Sequence, residues 1–215
     1  MIKTIFWDFD GVLMDSNAVR DQGFEDVLQK YPKDDVAKLM EFHQKNGGLS
    51  RYVKFRYFFE KIRKETVTDE QVQELAKHFS IIMKKLLLNP LLLIQETLDF
   101  VKNNQDQYVM YITSGSDQEE LRYLCKELQI NHFFKGIHGS PKPKKEWIKE
   151  LIEKHEYRPN ECVIVGDSIN DWEAAIANGI FFIGFNNNEL KKKPVYFKSF
   201  KEIKKPLGDY FLFNN

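Results

Sequence analysis

Cysteine is nearly missing from this chain: there are two in 215 residues, Cys125 in a stretch of helical periodicity and Cys162 at the start of an apolar run. So sparse a pair builds no disulfide framework and lacks metal-ligand spacing, which leaves two reduced thiols and a cytoplasmic protein as the expectation. An excess of one charge is missing too. Lys+Arg and Asp+Glu each number 32, giving a net charge of +0 and a pI of about 7.0. No global field therefore favours nucleic acid, and any anion site must be local. Long apolar runs are absent. The greasiest segment, Leu86 to Ile94, is nine residues long and split by Asn89-Pro90, against the roughly 20 residues that cross a bilayer. No membrane segment is expected, and the run reads as a loop and a helix start. The opening Met1 to Trp7 meets an acid at Asp8 with no small-residue cleavage site beyond it, so no secretory leader is expected. Internal repeats and low-complexity tracts are lacking as well.

What remains is ordinary globular composition, 42% hydrophobic, 30% charged and 14% aromatic, enough to bury a sizeable core in one domain or one domain plus an insert. Short continuous apolar runs at Ile2–Trp7, Tyr108–Ile112, Cys162–Val165 and Ile180–Phe185 suit strands buried on both faces of a parallel sheet. Amphipathic stretches at Gln118–Leu128, Lys145–His155 and Ile169–Asn178 alternate with them, which is the α/β pattern. Residues 16–90 break the alternation. They offer helical periodicity in Phe24-Val27-Leu28, Val53-Tyr57-Phe58-Ile62 and Val72-Leu75-Phe79-Ile82 and no convincing strand. The expectation is a core formed by 1–15 and 91–215, with a helical insert over 16–90 placed after the first strand. The basic cluster Lys191-Lys192-Lys193 reads as a solvated face.

Chemistry concentrates where these strands end. Asp8 and Asp10 stand two apart beside Gly11, just past the first strand, where open α/β sheets place their ligands. On an extended segment both carboxylates emerge on one side, and their repulsion calls for a cation or a shared proton. A second acidic pair, Asp167 and Asp171, follows Val163-Ile164-Val165-Gly166, with Asp171 one helical turn on and able to face the same cleft. A single such Asp most often caps a helix. Between the two pairs, Thr113-Ser114-Gly115-Ser116-Asp117 reads as a hydroxyl-and-glycine turn able to offer donors to an anion. Lys142, Lys144 and Lys145 then open a helix, a poor place for cations unless something acidic faces them.

Together these four segments, Asp8-x-Asp10-Gly11-x-x-x-Asp15-Ser16, the Ser/Thr step, a lysine and Gly166-Asp167-x-x-x-Asp171, resemble the haloacid dehalogenase superfamily over nearly the whole chain. The resemblance implies a Rossmann-like parallel-sheet core with an all-helical cap inserted after the first strand, close to phosphoglycolate phosphatases and β-phosphoglucomutases. It implies Asp8 as a nucleophile that forms an aspartyl-phosphate and Asp10 as general acid/base. The acid at Asp10 argues against a dehalogenase, since a departing alcohol needs a proton and a halide does not. The hydroxyl is Ser114 or Thr113, with Ser114-Gly115 favoured because it joins a side-chain hydroxyl to an unhindered amide. The spacing Gly139-Ser140-Pro141-x-x-Lys points to Lys144, with Lys145 and Lys142 behind it. Asp8, Asp10, Asp167 and Asp171 are the implied metal set, with Asp167 a ligand and Asp171 holding metal waters. Four carboxylates and a phosphate beside one lysine require a divalent cation, and oxygen-only donors favour Mg²⁺.

The expected activity is a Mg²⁺-dependent phosphatase acting on a small phosphorylated metabolite, with no nucleic-acid or membrane partner and with a monomer compatible with the sequence. Gly47-Gly48-Leu49-Ser50-Arg51 resembles the Gly-x-Ser-Arg cap loop of β-phosphoglucomutases, which makes Arg51 the expected cap contact for a second anionic group. A phosphosugar mutase is the alternative enzyme. Arg20 stands ten residues after Asp10, where those mutases carry a histidine, and weighs against it. A non-enzymatic phospho-ligand-binding protein is the alternative from another class, and it would have no chemical reason to keep an acid that serves only proton transfer.

Overall fold

Six strands form one sheet: Thr4–Trp7 (β1), Val109–Asp117 (β2), Gly136–Ser140 (β3), Cys162–Gly166 (β4), Phe181–Phe185 (β5) and Tyr196–Phe197 (β6). They lie in the order β3-β2-β1-β4-β5-β6, every neighbour parallel. The computed structural model describes residues 1–203 and 205–211, so the last four residues of the expected core lie outside it. The central strand β1 is buried at all four positions, because a parallel sheet is covered on both faces. Alternate side chains feed the two cores. Ile5 and Trp7 join Met110, Val163 and Ile183 on one side, while Phe6 joins Tyr111, Ile164 and Phe182 on the other.

The helices are Asn17–Leu28 (α1), Lys33–Lys45 (α2), Arg51–Tyr57 (α3), Asp69–Leu86 (α4), Gln95–Asn103 (α5), Gln118–Glu127 (α6), Lys144–Lys154 (α7) and Ile169–Asn178 (α8). The first four fall between β1 and β2, all helical as the sequence pattern requires, with α3 widening into a π-helical turn over Phe58–Arg63. Rings of Phe24, Phe55 and Phe79, from α1, α3 and α4, pack in tilted and edge-on pairs at centroid distances of 4.6, 5.3 and 6.3 Å and form the insert's centre. The longest insert helix, α4, begins with a reciprocal cap in which the Thr68 hydroxyl accepts from the Gln71 N–H and the Gln71 side chain accepts from that of Thr68. Among the described residues no helix is long and apolar enough to cross a membrane.

Two features depart from the pattern in the sequence. The segment Thr113–Asp117 is no turn. It prolongs β2, with the ladder to β3 broken between Thr113 and Asp117, because Gly115 and two serines keep the chain extended without regular pairing. The edge strands β3 and β6 were also hidden, since each needs only one partner and neither is an apolar run.

Candidate active site

In-register pairing sets the stage. Trp7 lies opposite Ile112 and Val165, so the segments after β1, β2 and β4 leave the sheet at one level. Asp8 emerges there, tied to β4 by its N–H donating to the Val165 carbonyl at 2.9 Å. Its carboxylate accepts from the Phe9 N–H at 2.7 Å and meets Lys144 Nζ at 3.0 Å. Lys144 opens α7 and also pairs with Asp171, which supplies the acidic partners that a cation at a helix N-terminus needs. Carboxylate oxygens of Asp8, Asp167 and Asp171 all lie within 4.8 Å of one another.

Glycine 11 makes the cluster possible. Its φ is +73°, and a Cβ there would sit 1.9 Å from an Asp167 oxygen, so both backbone and space exclude a side chain. Asn17 donates to the Asp167 carboxylate at 3.0 Å and Asn187 to the Asp167 carbonyl at 2.8 Å. Burial and then Asp171 push the Asp8 carboxyl well above the usual range. The same two causes push Asp167 up to about 7. Burial would lower the Lys144 ammonium, but Asp171 and Asp8 outweigh it and hold the proton more firmly than usual. Three carboxylates against one lysine leave unbalanced negative charge, and an all-oxygen donor set suits a hard divalent cation.

Asp10 lives in different company. Its side chain accepts from Ser16, from Arg20 Nε at 2.9 Å and from Ser116. Burial would raise its carboxyl, yet Arg20 and the two hydroxyls outweigh burial and hold it below the usual range. The Asp10 carboxylate therefore belongs to a hydrogen-bonded pocket of its own, not to the cluster of three. Arg20 goes on to pair with Glu120, which is wholly buried at the start of α6. Arg51 completes the chain of charges: Nη1 and Nη2 donate to the two Glu120 oxygens at 2.7 and 2.9 Å, Nη1 also reaches Ser80 at 2.8 Å, and the guanidinium lies 4.5 Å over Phe79. Asp10 and Glu120 belong to the core, Arg20 and Arg51 to the insert, so acid and base alternate across the boundary.

The helical insert borders the cleft. Its Gly47–Leu49 loop approaches so nearly that a Cβ on Gly115 would sit 2.4 Å from the Gly48 carbonyl. Beneath lies a cavity of about 560 Å³ whose lining includes Asp8, Asp10, Asp167 and Ser114 from the core and Arg20, Arg51 and Lys54 from the insert. Lys192 and Lys193, read as a solvated face, also reach it.

The structure thus brings Asp8, Asp167, Asp171 and Lys144 together, with Asp10 across the same cavity. Ser114 and Gly115 line it as well, whereas the buried Thr113 hydroxyl does not and has no hydrogen-bond partner. Lys142 pairs with Glu150, and Lys145 is exposed. Arg51 reaches the cavity with its guanidinium already held by Glu120. Ser116, from the hydroxyl segment, serves Asp10, and Glu120 and Lys54 join the site without a motif in the sequence. The signal for Lys54 was available: Arg51, Lys54, Phe55 and Phe58 recur at three and four and all are buried, while Val53, chosen for its apolarity, is 47% exposed.

A family model described as haloacid dehalogenase-like hydrolase matches residues 5–185. Phosphoglycolate phosphatase from Haemophilus influenzae is 25% identical over 195 residues, spanning 85% of this chain and 84% of that protein. The phosphoglycolate phosphatase of Mannheimia succiniciproducens is 27% identical over 139 residues, and the chain spans 61% of its length. Among solved structures, β-phosphoglucomutase from Clostridium difficile shares the fold, with a TM-score of 0.78 at 18% identity over 95% of this chain and 94% of that one. The family match runs from β1 to the end of β5 and takes in Asp8, Asp10, Ser114, Lys144, Asp167 and Asp171, and the chain belongs to the haloacid dehalogenase-like hydrolases.

Proposed function

We propose that the protein is a Mg²⁺-dependent phosphatase that hydrolyses a small phosphorylated metabolite through an aspartyl-phosphate on Asp8, with residues 16–90 acting as a cap. The observation that carries this reading is the division of the cavity's acids. Asp8 sits with Lys144 and two further carboxylates, and Asp10 sits apart among hydrogen-bond donors. One carboxylate is thereby placed for attack and another for proton transfer.

In this mechanism an Asp8 oxygen attacks phosphorus in line with the departing oxygen. Lys144 balances charge on the phosphoryl oxygens, and Ser114 with the Gly115 N–H supplies neutral donors to the same group. Asp8, Asp167 and Asp171 would hold Mg²⁺, which when bound offsets their repulsion and neutralises phosphoryl charge. With Arg20 withdrawn, Asp10 takes up a proton from solvent, delivers it to the leaving oxygen and then takes one from the water that opens the acyl phosphate. Arg20 rides on the insert, so its approach and withdrawal alter how firmly Asp10 keeps that proton. Closure of the Gly47–Leu49 loop keeps bulk water from the intermediate.

The relatives named as phosphoglycolate phosphatases support a hydrolase over a mutase, and so does Arg20, which is engaged by Asp10 and Glu120. Release of inorganic phosphate from a panel of phosphorylated sugars, carboxylic acids and nucleotides, with Mg²⁺ and with chelator, tests the proposal. Metal-dependent release that disappears in Asp8→Asn is expected. Transfer of phosphate between positions of one sugar, without net release, would install the mutase instead.

A further inference from the structure

The two arginines of the insert that face the cavity are both held by carboxylates of this chain, Arg20 by Asp10 and Glu120, Arg51 by Glu120. Lys54 is different. Only 2% exposed, it borders the cavity, and its Nζ donates to the Gly47 carbonyl at 3.0 Å. Among the described residues no carboxylate lies within ion-pairing distance of it. An ammonium carries three donors, so two remain for whatever enters. The nearest acid on the insert, Asp21, is taken by His43 Nε2 at 2.9 Å.

We propose that Lys54 is the insert's receptor for a second anionic group on the substrate, a carboxylate or a second phosphate, in the place expected of Arg51. The proposal rests on a phosphorylated compound occupying the cavity, with its reacting phosphate at Asp8. Core and insert then divide the substrate. The core takes the phosphoryl group, and Lys54, midway along α3, takes the remote charge.

The electrostatics agree with this geometry. Burial drives the Lys54 proton affinity down to about 7, attraction from Asp10 and Asp21 opposes that, and Arg20 and Arg51 add to it. His43, which faces the same pocket, is itself pushed down by burial. A cation this poorly solvated gains more from an incoming anion than one already paired. Arg51 in Lys54's role would first have to surrender Glu120, leaving a buried carboxylate with one partner fewer.

The test compares ligands that cannot be hydrolysed. Binding of phosphonoacetate, methylenediphosphonate and ethylphosphonate is measured by calorimetry in the presence of Mg²⁺, on the wild-type protein and on Lys54→Met and Lys54→Gln. The wild type is expected to bind at least one compound with a second anionic group, phosphonoacetate or methylenediphosphonate, tenfold or more tighter than ethylphosphonate. Whichever binds better identifies the group as carboxylate or phosphate. Both variants should erase that margin. Lys54→Gln keeps a donor for the Gly47 carbonyl, so its failure to restore the margin assigns the effect to charge and not to loop support. A margin that persists in both variants, is restored by Gln, or is absent from the wild type overturns the proposal. Turnover is scored separately: a wild type that releases no phosphate from any monoester defeats the phosphatase reading, while the binding comparison still decides Lys54.

Discussion

The two walls of the cavity are built on opposite principles. The core wall gathers three carboxylates around one lysine and leaves negative charge unbalanced; of the three buried cations on the insert wall, two are neutralised by the chain's own acids and Lys54 is not. The core wall is built on strands paired in register, with Asp8 and Asp167 just past β1 and β4 and Ser114 within β2. The insert wall depends on helices packed through an aromatic centre. The difference separates tasks: fixed strand ends suit bond-making atoms, and a helical flap suits recognition and closure.

The sharpest way to break the comparison is to remove the nucleophile. Asp8→Asn matches the carboxylate in size but cannot form an acyl phosphate, so turnover should fall by at least about a thousandfold while the fold persists. Steady-state rates and circular dichroism check both halves. Activity within tenfold of wild type would take Asp8 out of that role.

Next in size is the boundary itself. Glu120 is wholly buried between Arg20 and Arg51, which hold its carboxyl below the usual range against burial. Glu120→Gln leaves two guanidinium groups without that charge and should cost roughly 3–5 kcal/mol of stability, the scale for breaking a buried ion pair. Arg51→Ala should lower stability by a similar mechanism and depress turnover of every phosphate ester together. Urea unfolding and a two-substrate comparison are the measurements. A loss confined to substrates with a second anion would restore Arg51 to the recognition role that its loop suggested.

The core wall was legible in the sequence because its acids and Ser114 follow short apolar runs, and strand ends in a parallel sheet converge. Asp8, Asp167, Asp171 and Lys144 could be placed together from spacing and resemblance alone. Asp10 was found but its surroundings were not: Arg20, Ser116 and Glu120 reach it from three separate elements, and no local pattern joins them. The insert wall was harder for a physical reason. Apolar periodicity locates a buried helix face only when that face is apolar, and α3 turns Arg51 and Lys54 inward beside Phe55. The same reason hid Glu120, an acid in the first turn of α6 where acids are ordinarily solvated.

Asp10 sharpens the comparison by separating proton transfer from phosphoryl charge. Asp10→Asn should slow hydrolysis of an alkyl phosphate by at least roughly a hundredfold, the usual scale for general acid/base catalysis. An activated aryl phosphate, whose leaving group needs no proton, should lose less in the same variant. Equal losses on the two substrates would put Asp10 with the core cluster and not in a pocket of its own.

The smallest effect concerns the uncompensated lysine and has a sign fixed by linkage. Lys54 is depressed from an ordinary 10.5 to about 7 by burial, so between those values the unfolded chain binds a proton that the folded chain rejects. Stability of the wild type therefore rises with pH across that window, and the penalty for the buried ammonium is full below about pH 7 and gone above about 10.5. Lys54→Met removes the penalty and should stabilise the ligand-free protein at neutral pH, on the order of a few kcal/mol. The advantage should shrink steadily as both proteins are unfolded at increasing pH toward 10. Taking the difference between the two proteins cancels the titration of groups they share. A variant less stable than wild type, or a difference flat with pH, would mean that Lys54 already has its counter-charge in the ligand-free fold, and the contrast between the insert's paired arginines and its unpaired lysine would collapse.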